Sequence, residues 1–112
     1  MNILILGSGI VGANLAKKLS EQGKNVFLLD DDVNELKNLS ERFDIKTIYD
    51  DPLNPSFYKN FESKIDCFIA VTRSDEKNII TSKFAKEFLK VDKSIARVRN
   101  CLLYTSPSPR DA

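Results

Sequence analysis

The stretch Asn2-Ile3-Leu4-Ile5-Leu6-Gly7-Ser8-Gly9-Ile10-Val11-Gly12 decides the reading of this 112-residue chain. Its first five residues form a nearly continuous apolar run stopped by glycine, the pattern of a strand buried on both faces of a parallel sheet. The next six fit G-x-G-x-x-G. From Val11 to Leu19 the apolar positions then take helical spacing, with Val11, Leu15 and Leu19 on one face and Ala13 and Ala16 beside it. A glycine-rich turn alone is a weak signal; between a strand and a helix it predicts a nucleotide-phosphate turn. Gly7 permits the tight bend, Gly9 lets backbone approach a pyrophosphate, and Gly12 lets the helix pack closely on the sheet. The helix start offers free backbone N–H groups and a partial positive charge, so Gly7, Ser8, Gly9, Ile10, Val11 and Gly12 are together the expected cofactor-binding turn.

Working outward, the pattern repeats. Asn25 to Asp30 reads as a second strand with the apolar core Val26-Phe27-Leu28-Leu29. Asp30 stands about 20 residues after the turn, where a carboxylate would accept from both ribose hydroxyls and repel a 2′-phosphate. It favours NAD, or an adenine nucleotide such as ATP or ADP, over NADP. The competing reading makes Asp30 the start of a cap for the next helix, a duty that Asp31 and Asp32 could also perform. That helix spans about Val33 to Phe43, with Val33, Leu36, Leu39 or Ser40, and Phe43 facing inward. Ile45 to Tyr49 is a third strand, and Pro52 and Pro55 place residues 50–55 in a loop. A short helix over Ser56 to Phe61, a strand at Cys67 to Val71 and a turn at Thr72 to Asp75 follow. Ser74 or Asp75 can cap a longer helix with the apolar set Ile79, Ile80, Phe84, Phe88 and Leu89. Ile95 to Val98 is the fifth strand. The alternation predicts one α/β domain over residues 1–100, a Rossmann-type doubly wound parallel sheet. Residues 101–112, with two prolines and three hydroxyl residues in the last eight, are expected to be a disordered, non-native end of a truncated chain.

Composition removes other classes. Seventeen basic against sixteen acidic residues leave a net charge of +1, and no basic stripe of the kind that binds nucleic acid is visible. No apolar run approaches the roughly 20 residues of a membrane helix, and the N-terminus does not read as a signal peptide. Cys67 and Cys101 lack metal-site or CxxC spacing and there is no histidine, so no metal site is expected. Cys67, inside an apolar run, reads as a small buried hydrophobe. The expected compartment is the cytoplasm.

Four stretches carry a family resemblance: Ile3 to Gly12, Leu28-Leu29-Asp30-Asp31-Asp32, Ala70-Val71-Thr72-Arg73-Ser74-Asp75-Glu76-Lys77-Asn78, and Ile95-Ala96-Arg97-Val98-Arg99-Asn100. The first two are shared with many dehydrogenases. The third is similar to the motif Thr-x-x-Asp-Glu-x-Asn, and with the fourth it is far more specific. Residues 1–100 thereby resemble the N-terminal RCK, or KTN, lobe of the Trk-type potassium-uptake regulatory proteins. The resemblance implies that Asp30 holds the adenosine ribose with Asp31 beside it, that Asp51 lies near the adenine, and that Thr72 lies beside the pyrophosphate. Asp50 departs from the family's usual glycine. Arg97 and Arg99 match arginines near nucleotide phosphates or an assembly surface, and by strand alternation would face one side; two solvated arginines are an equal reading. Asp75, Glu76 and Asn78 are equally explained by an acid-first helix start. Ile10 stands where some relatives carry arginine.

The resemblance implies a regulatory subunit that binds NAD(H) or ATP/ADP, serves a membrane potassium transporter from the inner face, assembles as a homo-oligomer when full length, and performs no catalysis. The alternative is the N-terminal part of an NAD-dependent oxidoreductase. Against it stands the lack of a histidine or a Tyr-x-x-x-Lys to move a proton beside a nicotinamide.

Overall fold

A computed structural model describes residues 1–99; Asn100 and the expected disordered end at 101–112 lie outside the described residues. The order is β1 (Asn2–Leu6), α1 (Ile10–Glu21), β2 (Asn25–Asp30), α2 (Val33–Arg42), β3 (Lys46–Tyr49), α3 (Pro55–Lys59), β4 (Cys67–Ala70), α4 (Asp75–Phe84), a π-helical turn at Ala85–Leu89, and β5 (Lys93–Ala96). All five strands run parallel in the order β3-β2-β1-β4-β5. Chain direction along the sheet reverses beside β1, so its carboxyl end and that of β4 border the switch-point crevice.

Apolar runs on β1, β2 and β4 divide their side chains between two cores, as strand alternation requires. Leu4, Leu6, Phe27, Leu29, Phe68 and Ala70 pack with Tyr58, Ala85 and Val91 on one face. Ile3, Ile5, Val26 and Leu28 pack with Ala16, Leu36 and Leu39 on the other. Helices cover both faces, which gives the doubly wound architecture. Among the described residues, no helix is long and apolar enough to cross a membrane.

Several sequence expectations shift. Val11 and Val33 are exposed rather than inward, because α1 turns Gly12 and Ala16 to the sheet and α2 turns Leu36 and Leu39. The third strand starts at Lys46, where pairing with Phe27 begins. The fourth ends at Ala70. β5 pairs with it residue for residue from Lys93 to Ala96, and the Arg97 N–H then donates to the Ala70 carbonyl at 2.9 Å, so the expected Ile95–Val98 strand moves back by two residues. Asn54 caps α3 ahead of Pro55 at the first helical position, which brings the helix start one residue forward.

The largest departure is in α4. Its buried residues are Asp75, Asn78 and Thr81, while Ile79 is half-buried and Ile80 is 43% exposed. Apolar spacing misleads here because the buried polar groups are satisfied: the Thr81 hydroxyl donates to the Lys77 carbonyl at 2.7 Å, and Asn78 bonds four backbone and side-chain groups of the sheet edge.

Candidate nucleotide-binding site

The glycine turn lies where the crevice opens. Gly7 has φ +115°, a conformation that side chains rarely adopt. Its N–H donates to the Leu29 carbonyl at 3.0 Å, and the Gly9 carbonyl accepts from Ala13 N–H at 2.8 Å to start α1. A Cβ on Gly12 would stand 1.8 Å from the Gly7 carbonyl oxygen, whereas one on Gly9 would meet nothing within 4 Å. The two glycines thus have different causes. Gly12 is required by the packing of α1 on the turn; Gly9 leaves the crevice side of the turn open.

The helix starts differ as well. Asp32 caps α2, accepting from the N–H groups of Asn34 and Glu35, and Ser74 caps α4, accepting from Lys77 N–H at 3.1 Å. The start of α1 has Gly9 at the cap, no side-chain cap and no acid in its first turn. Its leading N–H groups and partial positive charge are left for an anion.

Asp30 closes one end of the crevice. One carboxylate oxygen accepts from Ser8 twice, from the N–H at 2.6 Å and the hydroxyl at 2.7 Å. The other accepts from the N–H groups of Asp31 and Asp32 at 2.7 and 3.0 Å. Burial pushes its pKa up, but the hydrogen bonds from Ser8 and Asp31 outweigh this and hold the carboxyl below the usual aspartate range. The carboxylate stays charged, with each oxygen accepting two hydrogen bonds. It also shapes the turn ahead of α2, while the cap itself is Asp32.

The opposite end is built by β4, α4 and the residues after β5. Asn78, fully buried, accepts through its side-chain oxygen from Thr72 N–H at 2.9 Å and the Thr72 hydroxyl at 2.7 Å. Its amide donates to the carbonyls of Thr72 at 3.1 Å and Arg97 at 2.9 Å. The Arg97 guanidinium donates through Nη2 to the Thr72 carbonyl at 2.8 Å, while its buried Nε has no partner. Arg99 donates to the Arg73 carbonyl through its guanidinium and to the Asp75 carboxylate through its N–H at 3.0 Å. Both arginines follow the last residue of β5, and both guanidiniums reach the turn after β4, Arg97 donating to the Thr72 carbonyl and Arg99 to the Arg73 carbonyl.

These pieces enclose a crevice of about 190 Å³ lined by Gly7, Ser8, Gly9, Val11, Asp30, Val71, Thr72, Arg73, Lys77 and Arg97. Most of the expected residues therefore meet at one place. Gly12 stands behind the turn, and Ile10 is 81% exposed and outside the lining. Asp31 and Asp51 border an adjoining hollow of about 340 Å³ with Tyr49 and Asp50, at the ends of β2 and β3. Arg73 and Lys77 were missed by sequence reading, because they fall on open positions of the Thr-x-x-Asp-Glu-x-Asn pattern. A larger groove of about 620 Å³ lies against β3 and α3, lined by Phe27, Ile48, Phe57 and Phe61 among others. It lacks the glycine turn and the helix start.

A parallel sheet in this order, with the glycine turn at its switch point and a carboxylate closing the neighbouring strand, defines a Rossmann-type nucleotide-binding domain. This chain belongs to the TrkA-N domain family, whose model matches residues 3–101. It is 32% identical over 101 residues to a Trk system potassium uptake protein TrkA of Haemophilus influenzae, covering 89% of this chain and 22% of that protein. To the protein of the same description from Halomonas elongata it is 35% identical over 100 residues, covering 88% and 22%. The chain thus spans about a fifth of the length of these relatives. Among solved structures, it is similar to the NAD(P)-binding domain of an exopolyphosphatase-related protein from Archaeoglobus fulgidus. That match has a TM-score of 0.73 at 21% identity and covers 83% of this chain and 70% of the other, a likeness of fold.

Proposed function

We propose that this domain is the nucleotide-sensing lobe of a regulatory subunit in a Trk-type potassium uptake system. It binds NAD(H), or ATP/ADP at the same place, and passes a conformational difference to a membrane potassium transporter at the inner face of the cell membrane. The observation that carries the ligand is the uncapped start of α1 opening into a crevice that Asp30 closes. The phosphates lie on the helix start, the adenosine ribose on Asp30 with Asp31 beside it, and the base toward Asp51. Thr72 and Arg97 border the far side.

The potassium-uptake setting follows the names of the relatives, and the regulatory role follows the resemblance of residues 70–78 and 95–100 to the Trk-type regulatory lobe. Signalling then requires the ligand to prefer one conformation of the assembled, homo-oligomeric protein, since equal affinity for two states shifts neither.

Titration calorimetry with NADH, NADPH, ATP and ADP tests this reading. NADH is expected to bind roughly tenfold or more tightly than NADPH, and Asp30→Ala to narrow that ratio. Equal binding of NADPH, or no binding of any of the four, would overturn it.

A further inference from the structure

The edge of the sheet at β3 is open. β3 has β2 as its ladder partner and no strand on its other side among the described residues. Alternation along the strand fixes what that edge offers. The Asp50 N–H donates to the Asp30 carbonyl at 3.3 Å, so the backbone groups of Lys46, Ile48 and Asp50 point toward β2. Those of Thr47 and Tyr49 point outward, an N–H and a carbonyl from each. Side chains divide in the same rhythm. Lys46, Ile48 and Asp50 all line the groove of about 620 Å³ beside α3, together with Phe27, Phe57 and Phe61. Lys46 and Asp50 are exposed there, and Lys46 Nζ lies 5.1 Å from the centroid of the Phe27 ring. Tyr49 is on the opposite face of the strand and is 64% exposed.

We propose that this edge is a self-pairing surface whose occupant is β3 of a second copy of the chain, running antiparallel about a two-fold axis at Ile48. The inference names a surface for the homo-oligomeric assembly of the reading above and does not depend on the nucleotide. With Ile48 opposite its own counterpart, Thr47 faces Tyr49 of the second copy. The outward groups of these two residues exchange both N–H···O bonds, and the symmetry repeats the exchange. The same register sets Lys46 against Asp50 of the second copy on the groove side, again twice. An edge lysine ordinarily repels a copy of itself and keeps sheets apart; here the carboxylate four residues on turns that repulsion into a cross-strand ion pair. Tyr49 gains Thr47 of the second copy as an aromatic-on-β-branched neighbour. Other registers lack this match. An axis at Thr47 sets Asp44 against Asp50, and an axis at Tyr49 sets Ile48 against Asp50.

The test is sedimentation equilibrium of the full chain, with a circular dichroism melt of each variant as a check of folding. An edge this short gives a weak dimer, so wild type is expected to associate with a Kd on the order of 100 μM. Lys46→Glu and Asp50→Lys each set like charges opposite, and each should weaken the dimer roughly tenfold. The double variant should recover wild-type association to within about threefold. Ile48→Cys in a Cys101→Ser background should form a disulfide-linked dimer under oxidised glutathione, because partners that do not share ladder bonds stand close enough for one. Thr47→Cys, offset from its own counterpart, should not. Wild type monomeric up to about 1 mM, folded single variants that associate like wild type, a double variant no better than the singles, or Thr47→Cys cross-linking as readily as Ile48→Cys would each overturn the pairing. The nucleotide-sensing reading would stand in every case, since the NADH titration tests it separately.

Discussion

Asn78, one turn into α4, holds both backbone polar groups of Thr72: its side-chain oxygen accepts from the Thr72 N–H at 2.9 Å, and its amide donates to the Thr72 carbonyl at 3.1 Å. The same amide reaches the Arg97 carbonyl at 2.9 Å. One fully buried side chain thereby ties together the carboxyl ends of β4 and β5, where the basic wall of the crevice stands. Removing it takes the partner from the Thr72 N–H and the Arg97 carbonyl, while the Thr72 carbonyl keeps its bond from Arg97 Nη2. Asn78→Ala is expected to destabilise the domain by about 2–4 kcal/mol. A thermal melt should show Tm lower by on the order of 10 °C or more. A melt within a degree or two of wild type would mean the clasp contributes little.

The two crevice glycines separate folding from binding. A methyl at Gly12 would meet the Gly7 backbone at 1.8 Å, and main chain cannot yield as a flexible side chain does. Gly12→Ala is expected to cost about 3 kcal/mol or more, or to prevent folding. Gly9→Ala has open space and should melt within about 1 kcal/mol of wild type. Its methyl would occupy the ground of the phosphates, so nucleotide affinity should fall roughly tenfold or more. Parallel melts and titrations of the two variants check this, and equal effects on stability would contradict the division.

Ser8 governs the acid titration of Asp30. The folded-state pKa lies below the ordinary 3.8, so the stabilisation is present above pH of about 4 and is lost as pH falls through the depressed value. Ser8→Ala removes the 2.7 Å hydroxyl donor and should raise the Asp30 midpoint. Carboxyl-carbon NMR titration reads this directly. A midpoint that does not move would assign the depression to the backbone donors alone.

Cys67 is buried in the β4 run. Burial pushes its thiol pKa up; Lys93 opposes this and Asp66 adds to it. Since the thiolate is the reactive form, disulfide exchange with an aromatic disulfide reagent should be at least roughly tenfold slower in the native protein than in denaturant. A Cys101→Ser background isolates the signal. Equal rates at pH 7 would show that β4 opens readily.

Much of this molecule is legible in the residues alone. The apolar runs at 2–6, 25–30 and 67–70 have their strand character written into unbroken hydrophobicity, because a central parallel strand is buried on both faces. The glycine turn was equally readable, since Gly7 and Gly12 answer to local backbone geometry and close packing. So was Asp30, whose distance from the turn reflects one helix and one strand. The short, weakly apolar edge strands were placed less well: β5 takes its limits from its pairing with Cys67–Ala70.

What only the tertiary structure decided lies where distant segments meet. Periodicity counted Ile79 and Ile80 as the core face of α4, yet Asn78 and Thr81 are the buried residues, because Asn78 bonds across 6 and 19 residues and the Thr81 hydroxyl bonds back to the Lys77 carbonyl. Asp75 and Glu76 open α4 as the acid-first start capped by Ser74 that the sequence suggests; only in space does Asp75 also turn to Arg99 and Asn78 become the clasp. The gathering of Arg73, Lys77 and Arg97 opposite Asp30 is likewise invisible along the chain. Local sequence determines the elements and the turn chemistry through short-range sterics and hydrophobicity. The strand order and the partners of buried polar groups depend on which segments come together, and that decides which charges share one crevice.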